Sequence, residues 1–340
     1  MIEHTHLNSL IAQLVKTLAV RGFDTPALLR QAGMDPAQLD KADVRIPCAQ
    51  VDRLWQAAMA ASGEDWTIIL DTARRYDSGT LHVLGFGLQA CANLIEASER
   101  LARACVIFNT ALAARCTSAD GEFQIAFEYQ YAGSAGAKDI VTAAILLHIW
   151  RSLLHPGLAP LGVDFANVGS PADPAMHAAL EAFFGCPVRF RQKRNCMRLA
   201  LASAQQALPN ANAMLAARGD AIVDAYLGEM QRAAIGHAVA RCIAAGVLQK
   251  EEVARSLNMS PRTLQRRLHM NQLSFAQLLT DTRRSLACSY LRSGRFAVKE
   301  VAYMLGYSDP ANFSRAFRSW YGQSPEAYRA ADHQAQNSTA

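Results

Sequence analysis

One short pattern occurs twice near the C-terminus of this chain, and it constrains the fold more than any other feature. The first copy runs from Val253 to Leu268 and the second from Val301 to Phe317. Each reads as a short apolar helix opening on Val-Ala, a tight turn, and a capped second helix rich in arginine and polar residues. That order specifies a helix-turn-helix, the unit whose second helix enters the DNA major groove. Two such units on one polypeptide can meet two successive stretches of groove without a dimer.

The turn chemistry supports the assignment. A turn of this kind commonly needs one residue at positive φ. Gly306 supplies it without steric cost, and Asn258, the next most tolerant residue type, fits the same place in the first copy. Ser260 then stands as N-cap with Pro261 at the first helical position, and Asp309 with Pro310 repeats the arrangement. The second turn is one residue longer, since Leu257 to Leu264 spans seven positions and Leu305 to Phe313 spans eight. Helical spacing places Val253, Ala254, Leu257, Leu264 and Leu268 in one core, and Val301, Ala302, Leu305, Phe313 and Phe317 in another. Ala254 and Ala302 are small where two helices must cross closely.

The outward faces remain. In the first copy the second helix shows Arg262, Gln265, Arg266 and Arg267; in the second it shows Ala311, Asn312, Ser314, Arg315 and Arg318. Arginine suits guanine edges or phosphates, and glutamine and asparagine suit adenine. An isolated arginine on an exposed helix is usually only solvated. Arginines on the groove side of two separately capped helices point to double-stranded DNA. Between the copies, Phe275 to Ser293 reads as one helix of about 18 residues ended by Gly294, hence roughly 27 Å long. Such a rod would hold the recognition helices about one DNA turn apart, near 34 Å.

The segment from about 235 to 330 resembles the DNA-binding domain of the AraC/XylS family of bacterial transcription regulators. The resemblance rests on Val301-Ala302 through Gly306-Tyr307, then Phe313-Ser314-Arg315-Ala316-Phe317, Gly322-Gln323-Ser324-Pro325 and Tyr328-Arg329. It implies that the first recognition helix carries much of the sequence discrimination. Position 311 is alanine here, so hydrogen-bonding readout by that residue is lost.

Charge follows the same division. From Ile235 to Ala330 there are 14 Lys or Arg against 6 Asp or Glu, a net of +8, whereas the whole chain carries +5. The basic surplus sits where phosphate contact requires it, and the mildly acidic remainder argues against a second nucleic-acid surface. With 51% hydrophobic residues there is ample core, and 340 residues suit about two domains. No run of 18 apolar residues exists, and Met1 to His6 lacks the build of a signal peptide, so a cytoplasmic protein without membrane contact is expected. The eight cysteines are scattered and form no metal-ligand spacing, which leaves them as small apolar residues. Cys186 and Cys196 flank a predicted hairpin and could in principle pair.

Residues 1–218 read as a mixed domain. Helices are predicted over Leu7 to Val20, Pro26 to Gln31, Ala49 to Ala61, Leu81 to Ala90 and Asn93 to Phe108. Thr110 to Ser118 and Glu122 to Tyr131 are strand-like and joined through Asp120-Gly121, a hairpin signal. A helix over Ile140 to Leu154, a strand over Leu161 to Val168 and a helix over Pro174 to Phe184 capped by Asp173 follow. Val188 to Arg191 and Cys196 to Leu201 are expected to pair as a second hairpin. Gly22-Phe23 with Leu28-Leu29, Ala32-Gly33-Met34-Asp35-Pro36 and Phe183 to Phe190 resemble an arabinose-binding-type regulatory domain.

No nucleophile elbow, phosphate loop or zinc-protease motif is present, so neither catalysis nor a cofactor is expected. An alkyl-transfer repair enzyme sharing this type of DNA-binding domain would need a tight zinc-binding cysteine cluster, which the sequence lacks. His148 and Arg151 lie on an otherwise apolar helix and are the candidates for holding an effector; the blander reading makes His148 a hydrogen-bonded core residue and Arg151 a surface one.

The expected architecture is an α+β N-terminal regulatory domain, helices with antiparallel strands, over 1–218. A linker over 219–234 and an all-α DNA-binding domain with two helix-turn-helix units joined by a long helix over 235–330 follow. A disordered tail closes the chain over 331–340. The expected function is sequence-specific transcription regulation. The resemblance implies a promoter or operator as target, RNA polymerase as protein partner and a small-molecule effector. Alternatively the N-terminal domain only forms a homodimer or binds a protein partner. Activation and repression both fit the pattern.

Overall fold

The structure, a computed structural model, describes residues 4–39, 41, 44–77, 80–131, 136–166, 168–169 and 174–337. The chain divides into two compact units, Met1–Ala225 and Tyr226–Ala340.

The first unit opens with strand β1 (Thr5–Leu7), helices α1 (Asn8–Val20) and α2 (Thr25–Ala32), strand β2 (Arg45–Pro47) and helix α3 (Cys48–Ser62). Helices α4 (Thr67–Ala73), α5 (His82–Gln89) and α6 (Leu94–Phe108) follow, then strands β3 (Leu112–Ala119) and β4 (Glu122–Tyr129). After α7 (Ala137–Leu153) come β5 (Gly162–Asp164), α8 (Pro174–Phe184), β6 (Val188–Arg189), β7 (Asn195–Ala200) and α9 (Leu201–Ala204). β1 and β2 form an antiparallel pair, and the larger sheet has the order β3-β4-β7-β5-β6. Its pairings are antiparallel except β5 with β6.

Local chemistry explains the elements that position the interior. Asp120 at φ 51° and Gly121 at φ 77° close the β3–β4 hairpin, the two successive positive values that a tight two-residue turn demands. Along β4, Phe123, Ile125 and Phe127 are buried at every second position, so one sheet face is apolar. α6 starts where the Asn93 side chain accepts the Glu96 N–H at 3.0 Å. α7 is buried along most of its length, and its Trp150 indole donates to Ser98 Oγ at 2.9 Å, which satisfies the one polar atom of that ring.

The expected pairing of Val188 to Arg191 with Cys196 to Leu201 is not formed. β6 runs parallel to β5, and β7 lies between β4 and β5. The physical reason is burial: Asn195, Cys196, Met197 and Leu199 are all buried, which suits a strand flanked on both edges. The strand expected over Leu161 to Val168 is limited to Gly162–Asp164. All eight cysteines, Cys186 and Cys196 included, are free thiols. Asp173, expected as the cap of α8, lies outside the described residues. β1, β2 and α4 do not show in the periodicity of the sequence, because three-residue strands and a two-turn helix are too short to display a period.

Helix α10 (Ala213–Ala244) contains the division between the units and runs through 219–234, the connecting stretch, which is expected to be helical from Ala213 to Arg232. The second unit continues with α11 (Lys250–Ser256), α12 (Pro261–Met270), α13 (Phe275–Ser293), α14 (Val298–Met304), α15 (Pro310–Tyr321) and α16 (Pro325–Asn337). Helix thus extends past 330, into the stretch expected to be a disordered tail. Two separate apolar cores result. One joins Ile235, Val239 and Ile243 of α10 to Val253, Ala254, Leu264 and Leu268; the other joins Ala287 and Leu291 to Val301, Ala302, Leu305, Phe313 and Phe317. Among the described residues no helix is long and apolar enough to cross a membrane.

Candidate nucleic-acid interface and interior cavity

The two helix-turn-helix turns are built alike. Asn258 has φ 54° and Gly306 φ 77°, the left-handed conformation expected at both places. In each, the next residue's N–H reaches back across the turn, Met259 to Ala254 O at 2.8 Å and Tyr307 to Ala302 O at 3.0 Å. This closes the first helix with a Schellman-type bond and fixes the exit direction of the chain. The second helices then start on side-chain caps. Ser260 Oγ accepts from Thr263 N at 3.1 Å, and Asp309 Oδ1 accepts from Ala311 N at 2.9 Å. Leu264 and Leu268 turn one face of α12 into the first core, and Phe313 and Phe317 do the same for α15.

That burial leaves the opposite faces outward. Arg262, Gln265, Arg266 and Arg267 are all exposed on α12, as are Asn312, Arg315 and Arg318 on α15, with Ser314 half-buried. Asn312 Oδ1 accepts from the Arg315 guanidinium, which steadies both side chains on one face. Among the described residues, no carboxylate pairs with Arg262, Arg266, Arg267, Arg315 or Arg318; the ion pairs lie before residue 225. Unpaired guanidiniums on exposed helix faces can accept phosphate oxygens or base edges as partners without first breaking an internal bridge.

The bridging helix α13 also secures the second turn. Its Arg283 donates to Leu305 O at 2.8 Å and Gly306 O at 3.3 Å, and its guanidinium lies 4.7 Å from the centre of the Tyr307 ring. Arg292 donates to the Tyr328 hydroxyl at 2.8 Å, and Arg329 to Phe296 O at 2.8 Å. Arg283, Arg292 and Arg329 therefore hold the unit together, and the basic surplus divides between structural and outward-facing groups.

In the first unit, a cavity of about 120 Å³ lies between α1, α3, α6, α7 and the apolar face of β3–β4. Leu10, Leu14, Trp55, Phe108, Phe127 and Ile149 are among its apolar lining. Its polar lining includes His6, Asp52, Asn109, Tyr129, Tyr131 and Lys138. Neither His148 nor Arg151 lines it. Arg151 is half-buried and commits its guanidinium to three carbonyls, those of Leu158 at 2.9 Å, Phe183 at 2.8 Å and Phe184 at 3.2 Å. It thereby caps the end of α8 and is not the surface residue of the blander expectation. His148 is half-buried, with its imidazole pushed down by burial and held against the Tyr76 backbone. Sequence patterns alone did not reveal the cavity's polar groups. One signal was available: Asp52 sits on the apolar face of α3 between Val51, Leu54 and Trp55, where a charge is costly without a role.

Residues 22–208 match the family model described as the arabinose-binding domain of AraC transcription regulators, and residues 253–331 match a helix-turn-helix domain model. The ornithine utilization regulator of Pseudomonas aeruginosa is 27% identical over 327 residues, covering 94% of this chain and 94% of its own. The HTH-type transcriptional regulator VirS of Mycobacterium tuberculosis is 38% identical over 90 residues, which is 26% of each chain. The crystal structure of transcriptional regulator CdpR from Pseudomonas aeruginosa aligns over 94% of this chain and 97% of that one, with a TM-score of 0.47 and 21% identity. A two-unit chain with an arabinose-binding-type domain ahead of paired, capped helix-turn-helix motifs belongs to the AraC family of DNA-binding transcription regulators.

Proposed function

We propose that α12 and α15 read successive stretches of one operator while the first unit senses a small-molecule effector in the cytoplasm and communicates with RNA polymerase. The observation that carries the DNA reading is the pair of capped helices whose outward arginines have no carboxylate partners among the described residues. Binding by the full chain is expected to be steeply salt-dependent. With about four to six phosphates neutralised, affinity falls roughly 10²- to 10³-fold between ~50 and ~200 mM salt. Binding that is insensitive to salt over that range would sink the assignment. Arg262, Gln265, Arg266, Arg267, Asn312, Ser314, Arg315 and Arg318 form the proposed contact set.

Individual arginines within this set carry distinct expectations. Arg266→Ala and Arg315→Ala should each cost about 1–3 kcal/mol on the specific site and relax preference at a particular base pair. Titration of both variants against a randomised operator library measures this. Wild-type affinity together with an unchanged motif would show that the reading faces lie elsewhere.

The observation supporting effector sensing is the cavity itself: apolar in most of its lining, with polar groups gathered at part of it, as small-molecule sites are. A second role, homodimerisation, is favoured by Phe86, Met214 and Ile222. These are 70%, 63% and 51% exposed on α5 and α10, helices that approach closely where Gly87 meets Gly219. Sedimentation of the full chain with and without effector measures that role.

A further inference from the structure

The polar part of the cavity has a specific composition. Lys138, in the first turn of α7, lines the cavity with its ammonium 5.0 Å from the centre of the Tyr129 ring and 4.2 Å from that of Tyr131. The two rings meet edge to face at 6.2 Å, so they form a corner that holds the cation. The Tyr129 hydroxyl is fixed by Thr142 Oγ1 at 2.6 Å, and that of Tyr131 by the Asp52 carboxylate. Burial pushes both phenols upward, so they stay neutral hydrogen-bonding groups. Among the described residues no carboxylate lies within ion-pair distance of the Lys138 ammonium, whose charge acts on the neighbouring Asp139; Asp139 is hydrogen-bonded to Asn195 at 3.0 Å. The rest of the lining is mostly Leu, Ile, Val and Phe side chains with His6 and Asn109, and among the lining residues Asp52, held by Tyr131, is the one carboxylate.

We infer that this cavity takes a small monocarboxylate with a compact apolar body, its carboxylate received by Lys138 and its body enclosed by the aliphatic walls. The inference rests on the effector reading above and names the ligand class for that site. Size follows from volume: an apolar cavity of about 150 Å³ holds benzene, so 120 Å³ suits a body of about five or six carbons. Charge follows from Lys138, because a cation held by ring faces keeps its N–H donors for an anion, and a charge-assisted hydrogen bond is the strong kind. Shape follows from α7, which presents Lys138, Val141, Thr142 and Ile145 at successive helical positions, head-binding groups at one end and apolar ones beyond.

The test uses the full chain and three probes of one carbon skeleton: hexanoate, 1-hexanol and hexylamine, followed by calorimetry and thermal shift. Hexanoate is expected to bind and to raise the melting temperature, with hexanol at least about tenfold weaker and hexylamine weaker still. Lys138→Met is expected to lose at least about tenfold in hexanoate affinity while keeping that for hexanol, which a merely misfolded variant could not do. Lys138→Arg should restore hexanoate binding in part. Equal affinity for hexanol, a preference for hexylamine, or an unchanged hexanoate affinity in Lys138→Met overturns the ligand class and leaves effector sensing intact. Binding of none of the three overturns the class as well. A chemically broad metabolite panel then decides the effector reading separately, by whether any member stabilises the chain.

Discussion

Replacing Gly306 by valine is expected to cost about 3 kcal/mol or more in stability of the second helix-turn-helix and to abolish specific DNA binding. Two independent causes add. The backbone at Gly306 is at φ 77°, a conformation that costs an L residue about 1–2 kcal/mol and a β-branched one more. There is also no space: a Cβ there would lie 1.9 Å from Leu248 Cδ1 and 3.2 Å from an Arg283 guanidinium nitrogen. Leu248 can turn its methyl away. Arg283 cannot move without loosening its bonds to Leu305 O and Gly306 O, which hold the turn to α13. The turn sets the direction of α15, so loss of its geometry misaims Asn312, Arg315 and Arg318 together. Gly306→Ala should cost less, since it keeps the strain but lacks the second branch. Asn258→Gly in the sister turn should stay within about 1 kcal/mol, because φ 54° is already suited to glycine. Thermal unfolding and operator titration of the full chain measure all three. A Gly306→Val protein with unchanged melting temperature and operator affinity would refute the argument.

The second unit was legible in the sequence because its signals are local. A cap and a proline shortly after a residue tolerant of positive φ define each turn whatever the rest of the chain does, and Ser260 and Asp309 cap as expected. The β3–β4 hairpin was legible for the same reason. Sheet order was not. β5 reaches β7 and β6 across long stretches of chain, and nothing in a three-residue strand states its partner. α10 was obscured differently. Its two halves bury different faces: Asp220 is held by Arg100 and Arg103 of α6, whereas Ile235, Val239 and Ile243 fill the first helix-turn-helix core. No single apolar stripe runs its length, so the pattern marks a connecting helix from Ala213 to Arg232 without showing that it continues to Ala244 into the next core. The cavity was the least legible feature, because its polar groups come from β1, α3, β4 and α7 and meet only after folding.

Acidification should destabilise the first unit through one of those cavity residues, His6. Its ring lines the cavity, and burial with a further contribution from Arg45 pushes the imidazole down from 6.5 to about 4. The hydrogen bond between its Nδ1 and Leu7 O opposes this without offsetting it. In the unfolded chain His6 takes up a proton as pH falls through 6.5, whereas the folded protein resists until about 4. Over that window the unfolded state binds more protons, so stability rises with pH. The contribution is fully present above pH 6.5, declines between 6.5 and 4, and is lost below. Its upper bound is about 3–4 kcal/mol, since the pKa falls from 6.5 to about 4 and each tenfold change in proton affinity corresponds to roughly 1.4 kcal/mol. The half-buried His148, likewise lowered by desolvation, acts in the same direction and adds to the slope. Chemical denaturation at a series of pH values from about 7.5 to 4 measures the effect, with His6→Gln as the control that cannot titrate. The wild-type curve should fall steeply where the variant's stays flatter, and the two should converge in slope below pH 4. Parallel curves across the whole range would mean that His6 takes up its proton at the same pH in the folded and unfolded protein, and that the cavity is more open to water than its lining implies.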